Sequence, residues 1–522
     1  MLKFDYENAC RWAAVFFALT SVAFSFPSVT KIDDTEVTTS ALTFAFGSTY
    51  GSAINGVSFQ QDMIITHNGW QYVAYYSGDR YVNVARRDLA TSGSWENLKL
   101  EDYYFSGTDA HNVISMGICP NDGTIHLSFD HHGENLHYRV SQTGAATYPS
   151  TCTWSTDLFG AVTSQLISGD TIAGLTYPRF IQTPSGDLLF GYRYGASGSG
   201  DIYLVDYDGA TQLWSNRRQV INRNGYYSDS LGSSTSRNAY MNSWTFGPDG
   251  NLHGTWCWRE TAGGANHDLC HAFSDDGGVT WYNSDPPTQF GLSTNSGGTT
   301  QTLFSIAWVN SIGAIIGLAT DDSGTQELIW LDSAHVAILE LDRRYGLMNQ
   351  QTQDVDVQGR IHTVMWHATD ESMAYAVDQG KTNGIFCNAL ARHYHHYWRD
   401  DDGVWHHNEL PGFAGSRPKL FIRDNGDAFL IYQSLADEAA VSALDNSLYF
   451  RDGDLTIQAA TEASGWSDWQ VIHVESGPFL NEMLGDYYRF KNDGVLSVMV
   501  QNEPSYSGES TPLRILDFQL SD

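Results

Sequence analysis

The first pair of segments that could do chemistry carries histidines on either side of one predicted hairpin. DAHN (109–112) precedes an Asp-Gly turn, and FDHHGENLHYR (129–139) follows it. Because a hairpin brings its two ends together, we expect His111 to approach His131 or His132. Two imidazoles at one point can transfer protons near neutral pH.

The second pair of segments places a phenol and a guanidinium in the same way. LTYPRF (175–180) precedes a Ser-Gly turn and FGYRYGASGSGD (190–201) follows it, so Tyr177 can approach Arg193. Taken singly, a tyrosine at a strand start is typical of packing, and an arginine at a strand end is typical of an ion pair. Together with the histidines they indicate a proton-transfer site with a fixed anion receptor.

A third cluster has the residue types of a zinc site. LHGTWCW contributes His253 and Cys257, and NHDLCH contributes His267 and Cys270. Two histidines and two cysteines across a hairpin suit tetrahedral zinc, so we predict a structural zinc ion there. A disulfide between Cys257 and Cys270, or two buried thiols, is the alternative. We expect no organic cofactor.

Other polar side chains are candidates for binding a substrate around the same site. They lie near the ends of repeated segments, and they would converge if those ends meet. They are Asn112, Arg237, Tyr240, Arg259, Asn266, Gln350, His367 and Arg417.

Most of these residues lie in or beside a unit that recurs along the 522-residue chain: a polar or aromatic strand start, a turn with glycine and a hydrophobic strand. Seven copies begin at Gln61, His111, Tyr177, Ala239, Asn349, Arg417 and Gly485. A long period in a strand-rich chain predicts an all-β fold, a seven-bladed β-propeller of four-stranded antiparallel sheets. The segment from Ser305 supplies outer strands of a large blade or, as the alternative, an eighth blade.

One local motif supports the propeller. SDDGGVTW (274–281) fits the Asp-box pattern S-x-D-x-G-x-T-W. We expect Asp276 to accept backbone N–H groups, Gly278 to adopt an unusual φ and Trp281 to fill the gap between sheets. The motif is structural and carries no catalytic information by itself.

The composition excludes several classes of partner. Asp and Glu number 60 against 28 Lys and Arg, which gives a formal net charge of −32. Without a basic cluster, such a chain is not expected to bind nucleic acid or an anionic membrane. We expect it to be a monomer.

The N-terminal segment, residues 1–26, is interpreted as a secretory signal peptide. Lys3 and Arg11 precede an apolar run that is too short to cross a bilayer comfortably, although a membrane anchor is the alternative. We therefore expect a secreted, extracellular protein whose residues 27–522 form a single catalytic propeller domain. Export permits disulfides, and Cys119 with Cys152 is the predicted pair.

The motifs DAHN, D-x-H-x-x-x-L-x-Y-R, T-Y-P-x-F and Y-R-x-G-x-S-G-x-G occur here in that order. In this the sequence resembles the BNR-repeat propeller family, which includes seven-bladed polysaccharide lyases: the ulvan lyases and the fungal L-rhamnose-α-1,4-D-glucuronate lyases. The resemblance implies an active site of His111, His132, Tyr177 and Arg193, with His131 as the alternative to His132. Related lyases include members with a structural metal. A calcium ion in the central channel is a further expectation.

The implied reaction is β-elimination at a uronate within a polysaccharide. Its carboxylate must be neutralised, a base must take the C5 proton and an acid must protonate the departing O4. Arg193 would clamp the carboxylate, and Tyr177 would act as base and then as acid, with a nearby cation stabilising the phenolate. A histidine as the base is the mechanistic alternative.

Two other functions compete with the lyase. The Asp box favours a sialidase-like glycoside hydrolase, although no arginine triad or Tyr/Glu pair can be assigned from the sequence. The 16 Trp and 28 Tyr would also suit a propeller that only binds carbohydrate. The net charge of −32 disfavours a long sulfated polymer, which favours rhamnose on glucuronate in arabinogalactan side chains as the substrate.

Overall fold

In the described part of the chain, the hydrophobic strands predicted from the sequence form the seven blades of a β-propeller. These blades occupy five sheets, because the third and fourth are joined in one sheet, as are the sixth and seventh, and two short hairpins are separate. The structure is a computed structural model. It describes residues 26–48, 50–57, 62–91, 93–261, 264–283, 303–305, 315–320, 326–330, 336–381, 388–435, 438–443 and 453–521. The predicted signal peptide, apart from Phe26, lies outside the described residues.

The chain enters through β1 (Ser28–Ala41), which belongs to the last blade. The first blade contains β2 (Ile64–His67), β3 (Trp70–Tyr76), β4 (Tyr81–Asp88) and β5 (Glu96–Tyr104). The second contains β6 (Ile114–Ile118), β7 (Ile125–Phe129) and β9 (Tyr138–Val140). The third contains β10 (Leu175–Gln182), β11 (Leu188–Ala196), β12 (Ser199–Asp208) and β13 (Leu213–Ile221). A short strand, β8 (His132–Glu134), pairs with β10 and so links the second and third blades.

The fourth blade is the largest. It contains β16 (Asn238–Phe246), β17 (Leu252–Arg259), β18 (Asn266–Ser274), β19 (Thr280–Asn283) and β20 (Leu303–Ser305), with β23 (Ala337–Leu339) paired to β18. Two further hairpins are formed by β14 (Asn224–Asp229) with β15 (Gly232–Ser236) and by β21 (Ile315–Thr320) with β22 (Gln326–Trp330). Ser305 thus ends an outer strand of a large blade, while residues 306–314 lie outside the described part of the chain.

The last three blades complete the ring. The fifth contains β24 (Thr352–Val355), β25 (Ile361–His367), β26 (His393–Arg399) and β27 (Trp405–Glu409). The sixth contains β28 (Lys419–Ile422), β29 (Ala428–Ser434), β30 (Gly453–Ala460) and the first half of β31 (Gln470–Gly485). The seventh contains the second half of β31, β32 (Val495–Asn502), β33 (Thr511–Ser521) and β1. The helices are α1 (Asp370–Asp378), α2 (Glu438–Ala443) and α3 (Tyr487–Asp493), with 3-10 turns at Thr156–Leu158, Arg343–Tyr345, Ala389–Ala391 and Glu462–Ser464.

The recurring glycine turns explain the repeat. In every blade the innermost strand reaches the next through a turn whose glycine has a left-handed φ, a conformation that costs other residues energy. These glycines are Gly69, Gly123, Gly186, Gly250, Gly359, Gly426 and Gly494. The last copy departs from the prediction, because α3, rather than a strand, precedes Gly494.

The ring closes through the first and last strands. β1 pairs antiparallel with β33, from Ser28 opposite Ser521 to Ala41 opposite Thr511. Strand β31 serves two blades, since its first half pairs with β30 and its second half with β32. Among the described helices, none is long and apolar enough to cross a membrane.

The Asp-box turn contacts the third blade, because Nε of Arg218 in β13 donates to the Gly278 carbonyl oxygen at 3.0 Å. Asp276 accepts the N–H of Val279 at 2.9 Å, and Gly278 has a φ of 93°. The indole of Trp281 is fully buried and packs against Trp244, 5.5 Å between ring centroids. The turn therefore fixes an aromatic plug, as the motif predicts.

The predicted disulfide between Cys119 and Cys152 is wrong. Both thiols are free. Cys119 is buried at the boundary of the second and third blades, where its thiol lies 3.3 Å from the Gly186 carbonyl oxygen. Cys152 lies elsewhere, in a loop held by Arg86, whose guanidinium reaches the Cys152 carbonyl oxygen at 3.4 Å.

Candidate active site

The innermost strands of neighbouring blades begin at the same mouth of the central channel. Residues just before these strands, or in their first few positions, therefore converge there. His111 precedes β6, Tyr177 lies in β10 and Tyr240 lies in β16. Gln350 precedes β24, and Arg417 precedes β28. Five blades therefore contribute side chains to one end of the ring.

Asp109 holds two of the predicted histidines side by side. Its Oδ1 lies 2.7 Å from Nδ1 of His111, and its Oδ2 lies 2.6 Å from Nδ1 of His132. The two imidazoles stack with centroids 4.1 Å apart. A carboxylate accepts hydrogen bonds, so both Nδ1 atoms carry protons and both Nε2 atoms are acceptors. Sequence reasoning quoted Asp109 within DAHN and gave it no role.

Electrostatics shift the pKa values of Asp109 and His111. Burial opposes the charge on Asp109, but the hydrogen bonds from His111 and His132 outweigh it and hold the pKa of its carboxyl well below the usual range. Burial lowers the pKa of His111 to about 4, although the Asp109 carboxylate opposes this shift. His111 is therefore neutral above about pH 5.

Tyr177 takes its orientation from an irregularity in β10. The pairing of β10 with β11 shifts register between Thr176 and Arg179, and Tyr177 has a left-handed φ of 58°. Such bulges redirect side chains next to active sites. The phenol ring lies 5.8 Å from the His111 ring, between centroids, which brings the two predicted clusters together.

Arg193 lies beneath Tyr177 and is almost fully buried. Its guanidinium carbon is 4.8 Å from the Tyr177 ring centroid, and Nη2 donates to Oγ1 of Thr176 at 3.0 Å. The side chain is only 2% exposed, and Nε and Nη1 are buried without a hydrogen-bond partner. In this conformation Arg193 can stabilise charge on Tyr177, whereas direct contact with a substrate carboxylate requires it to move.

A second tyrosine completes this side of the site. Tyr240 lies 5.9 Å from Tyr177 between ring centroids, and its hydroxyl is 2.8 Å from Oγ of Ser197. Arg259 donates to that hydroxyl at 3.3 Å and to Oδ1 of Asn266 at 3.2 Å. Asn266 thus positions Arg259 and is itself buried.

The two phenols differ in acidity because their surroundings differ. Burial and the neighbouring Tyr240 raise the pKa of Tyr177, although the guanidinium groups of Arg193, Arg259 and Arg417 oppose the rise. Burial also acts on Tyr240, but Arg259 and Arg193 outweigh it and lower the pKa of that phenol. Three cations therefore favour negative charge around the tyrosine pair.

Arg417 supplies the cation on the histidine side. It is half-buried, and its Nε donates to Oε1 of Glu482 at 2.6 Å. Its charge acts on both His111 and Tyr177. Arg259 is also half-buried, so these two arginines are more accessible to a ligand than Arg193.

Tyr50 was not found from the sequence, because it lies between β1 and the first repeat. Its ring meets that of His111 edge-on at 4.1 Å between centroids, and that of His132 at 5.6 Å. It has a left-handed φ of 63° and is 45% exposed. An exposed aromatic ring therefore borders the histidine pair.

Several predicted site residues lie inside the blades instead. His131 is fully buried, and its Nε2 accepts the His137 N–H at 2.8 Å, so His132 is the histidine at the site. His367 stacks on His395 at 3.7 Å within the fifth blade.

Three other predicted substrate contacts are also buried. Arg237 packs its guanidinium 4.8 Å from the Trp258 ring centroid. Asn112 donates to Asp130. Gln350 lies beside Arg193 and Tyr177 below the surface of the site. These residues support the site's walls rather than line its opening.

The four predicted zinc ligands do not converge. Cys257 pairs with Leu269 and Trp256 with Cys270, so the two thiols lie on opposite faces of the sheet. His267 uses both ring nitrogens, 2.7 Å from Glu260 and 3.0 Å from Asp268. The predicted zinc site is therefore wrong in this arrangement, and the two thiols are buried and free.

Within the described ranges, one group has three potential ligand atoms within 4.8 Å of one another: Asp109, His111 and His132. Its hydrogen bonds already account for this geometry. The central channel forms a cavity of about 460 Å³ whose lining includes Asp62, Lys419 and Lys491. The channel calcium ion remains a prediction.

Comparison with known proteins identifies the family. A model of the BNR repeat-containing family matches residues 70–412, and the chain belongs to that family. The "Ulvan lyase, long isoform" of Alteromonas sp. (strain LOR) is 28% identical over a 196-residue alignment that covers 30% of this chain and 19% of that protein. The short isoform from the same strain is 25% identical over 199 residues, covering 30% of this chain and 37% of that protein. The match thus spans well under half of either relative.

Solved structures share the fold over nearly the whole chain. The polysaccharide lyase Uly1 superposes with a TM-score of 0.64 at 17% identity, covering 94% of this chain and 99% of the other. An ulvan lyase of polysaccharide lyase family PL25, bound to -[GlcA(1-4)Rha3S]-, gives a TM-score of 0.57 at 13% identity, with 91% and 95% covered. At these identities the likeness establishes the propeller fold.

Proposed function

We propose that this protein is a secreted polysaccharide lyase that cleaves a rhamnosyl–glucuronate linkage by β-elimination. Its family, its similarity to ulvan lyases and the ligand in the structure of the PL25 enzyme support this assignment. The observation that carries it is the meeting of Tyr177, Arg193, His111 and His132 at one mouth of the channel.

Proton transfer centres on Tyr177. Arg193 beneath its ring stabilises the phenolate, which takes the C5 proton of the uronate. The electron pair of that C–H bond forms the C4=C5 double bond as the C4–O4 bond breaks. The protonated phenol then donates its proton to the departing O4, which a syn geometry permits. The products are a new sugar hydroxyl and a 4,5-unsaturated uronate.

Neutralisation of the carboxylate falls to the accessible cations. Arg259 and Arg417 are half-buried and flank the tyrosines, while Arg193 is covered. Either guanidinium can bind a carboxylate through two hydrogen bonds and make the C5 proton more acidic. Neutral His111 and the neighbouring His132 present Nε2 atoms that can hold the sugar hydroxyls or, as the mechanistic alternative, take the proton.

The test is the ultraviolet absorbance of the conjugated double bond during incubation with gum arabic and, separately, with ulvan. We expect the absorbance to rise with one of these two glycans, and that glycan identifies the substrate class. New reducing ends without absorbance would establish hydrolysis and contradict the proposal.

Variants separate chemistry from folding in this assay. Tyr177→Phe should abolish the rise, and Tyr148→Phe should not, since Tyr148 is 66% exposed beside the second blade's glycine turn, at the opposite end of the ring. Equal loss in both variants would contradict the assigned role of Tyr177.

A further inference from the structure

Beyond the catalytic groups, the same mouth carries three exposed aromatic rings on two neighbouring loops. Phe46 and Tyr50 lie in the loop between β1 and β2, and Tyr506 lies in the loop between β32 and β33. They are 37%, 45% and 64% exposed. We call these three residues the aromatic rim.

The loops of the aromatic rim are tied into one surface. The first loop is closed by a bridge between Thr43 and Ala53. The Phe46 N–H donates to Oγ of Ser507 at 2.8 Å, and the Thr43 hydroxyl donates to the Glu509 carbonyl oxygen at 2.6 Å. The rim is therefore a preformed surface where the last blade meets the first.

One end of the rim touches the catalytic centre. Tyr50 contacts His111 edge-on, and its left-handed φ is a strained conformation typical of ligand-binding positions. An exposed ring held beside reacting groups offers a flat apolar face of the kind on which the C–H faces of sugars pack. The rim leads away from the site across the surface, toward Tyr506.

The charges around the rim indicate which sugars it takes. The segment 42–57 contains no charged residue, and the segment 503–511 contains only Glu503 and Glu509. Within these two segments a sulfated or carboxylated sugar would find no cation, and the two glutamates would repel it. A neutral deoxyhexose, with a methyl group in place of a hydroxymethyl, matches this surface best.

We propose that the aromatic rim is a glycan-binding platform for neutral deoxyhexose residues adjoining the cleaved linkage, so that the protein binds chains longer than a disaccharide. The link to cleavage rests on the proposed lyase function, whereas the binding itself does not. Longer substrates would gain affinity from Phe46 and Tyr506, and short ones from Tyr50 alone.

Calorimetry with a rhamnose tetrasaccharide that lacks uronate tests binding without catalysis. We expect the native protein to bind it and each Ala substitution in the rim to weaken binding about threefold to tenfold. Tyr148→Ala, an exposed tyrosine outside the rim, should bind as the native protein does. No binding by the native protein, or equal binding by the triple Ala variant, would overturn the platform whatever the lyase assay shows.

A second measurement uses the Tyr177→Phe protein with rhamnose–glucuronate oligosaccharides of increasing length. The platform predicts affinity that rises beyond the disaccharide and a rise that disappears when Phe46 and Tyr506 are replaced by Ala. Affinity that does not change with length would contradict it, even if the native enzyme proves to be a lyase.

Discussion

The guanidinium of Arg193 lies directly against the ring of Tyr177, with 4.8 Å from its carbon to the ring centroid. Burial and the neighbouring Tyr240 raise the pKa of the phenol, and the buried cation opposes part of that rise. The pair is a unit in which the arginine lowers the pKa of the proposed base relative to its value without the cation. The predictions below follow from this unit and from the groups around it.

Replacing Tyr177 with Phe should lower kcat by about 10² to 10⁴, because it removes the group that moves the proton. The ring and its packing remain, so substrate affinity should change little. Initial rates with the preferred glycan and calorimetric titration separate the two effects. A variant that retains more than a tenth of the native kcat would move the role of base to a histidine.

Replacing Arg193 with Met should move the pH dependence of kcat/KM to higher pH. Without the cation the pKa of Tyr177 rises further, so less phenolate is present at neutral pH and activity recovers only as the pH increases. Arg193→Lys should shift the profile less. Arg217→Met is the matched control, since Arg217 lies 5.0 Å from the Tyr203 ring, away from the site. An unshifted profile with lower activity throughout would indicate a merely structural role.

Asp109→Asn should reduce kcat about 10²-fold or more, because an amide no longer fixes the tautomers of both His111 and His132. The fold should be retained, since Asp109 is partly exposed at the channel mouth. Rates over a range of pH, together with circular dichroism, check this. Activity within twofold of the native value would show that the shared carboxylate is dispensable.

Acid should destabilise the protein between pH 6.5 and 4. His253 and His271 are buried with Nδ1 and Nε2 3.1 Å apart, and His362 with His396 repeats this geometry at 3.0 Å. Burial lowers the pKa of all four, to about 4 for His253. Below pH 6.5 the unfolded chain therefore binds more protons than the folded protein does. The free energy of unfolding falls as the pH is lowered, by about 3 kcal/mol for His253 alone.

Urea unfolding at pH 7.5, 6 and 5 measures this slope. The variant His253→Gln should flatten it, while Leu213→Gln, at an exposed residue that does not titrate, should leave it unchanged. A slope that is identical in all three proteins would exclude the buried histidines as its source.

The sequence predicted what depends on local pattern. The glycine turns marked each blade, and the hairpins brought Tyr177 to Arg193 and His111 to His132, because register within a hairpin is local. The zinc ligands failed for a related reason. Alternation along a strand decides which face a cysteine takes, and Cys257 and Cys270 are on opposite faces.

Contacts between different blades could not be predicted in this way. Tyr50 reaches the site from the segment before the first blade, and Glu482 reaches Arg417 from the seventh. The burial of Arg193 was equally invisible, because it depends on how the fourth blade packs against the third. The identity of the arginine was predictable, whereas its accessibility was not.

The pairing of β1 with β33 also determines when the ring can close during synthesis of the chain. The ribosome synthesises Ser28 long before Ser521, so β1 cannot form this pairing until β33 has been made. Completion of the seventh blade therefore requires β33, and it has to overcome the entropy of joining two strands that lie far apart in the sequence. Removal of β1 or β33 would leave the seventh blade incomplete and expose a strand edge that can pair with another chain, which promotes aggregation.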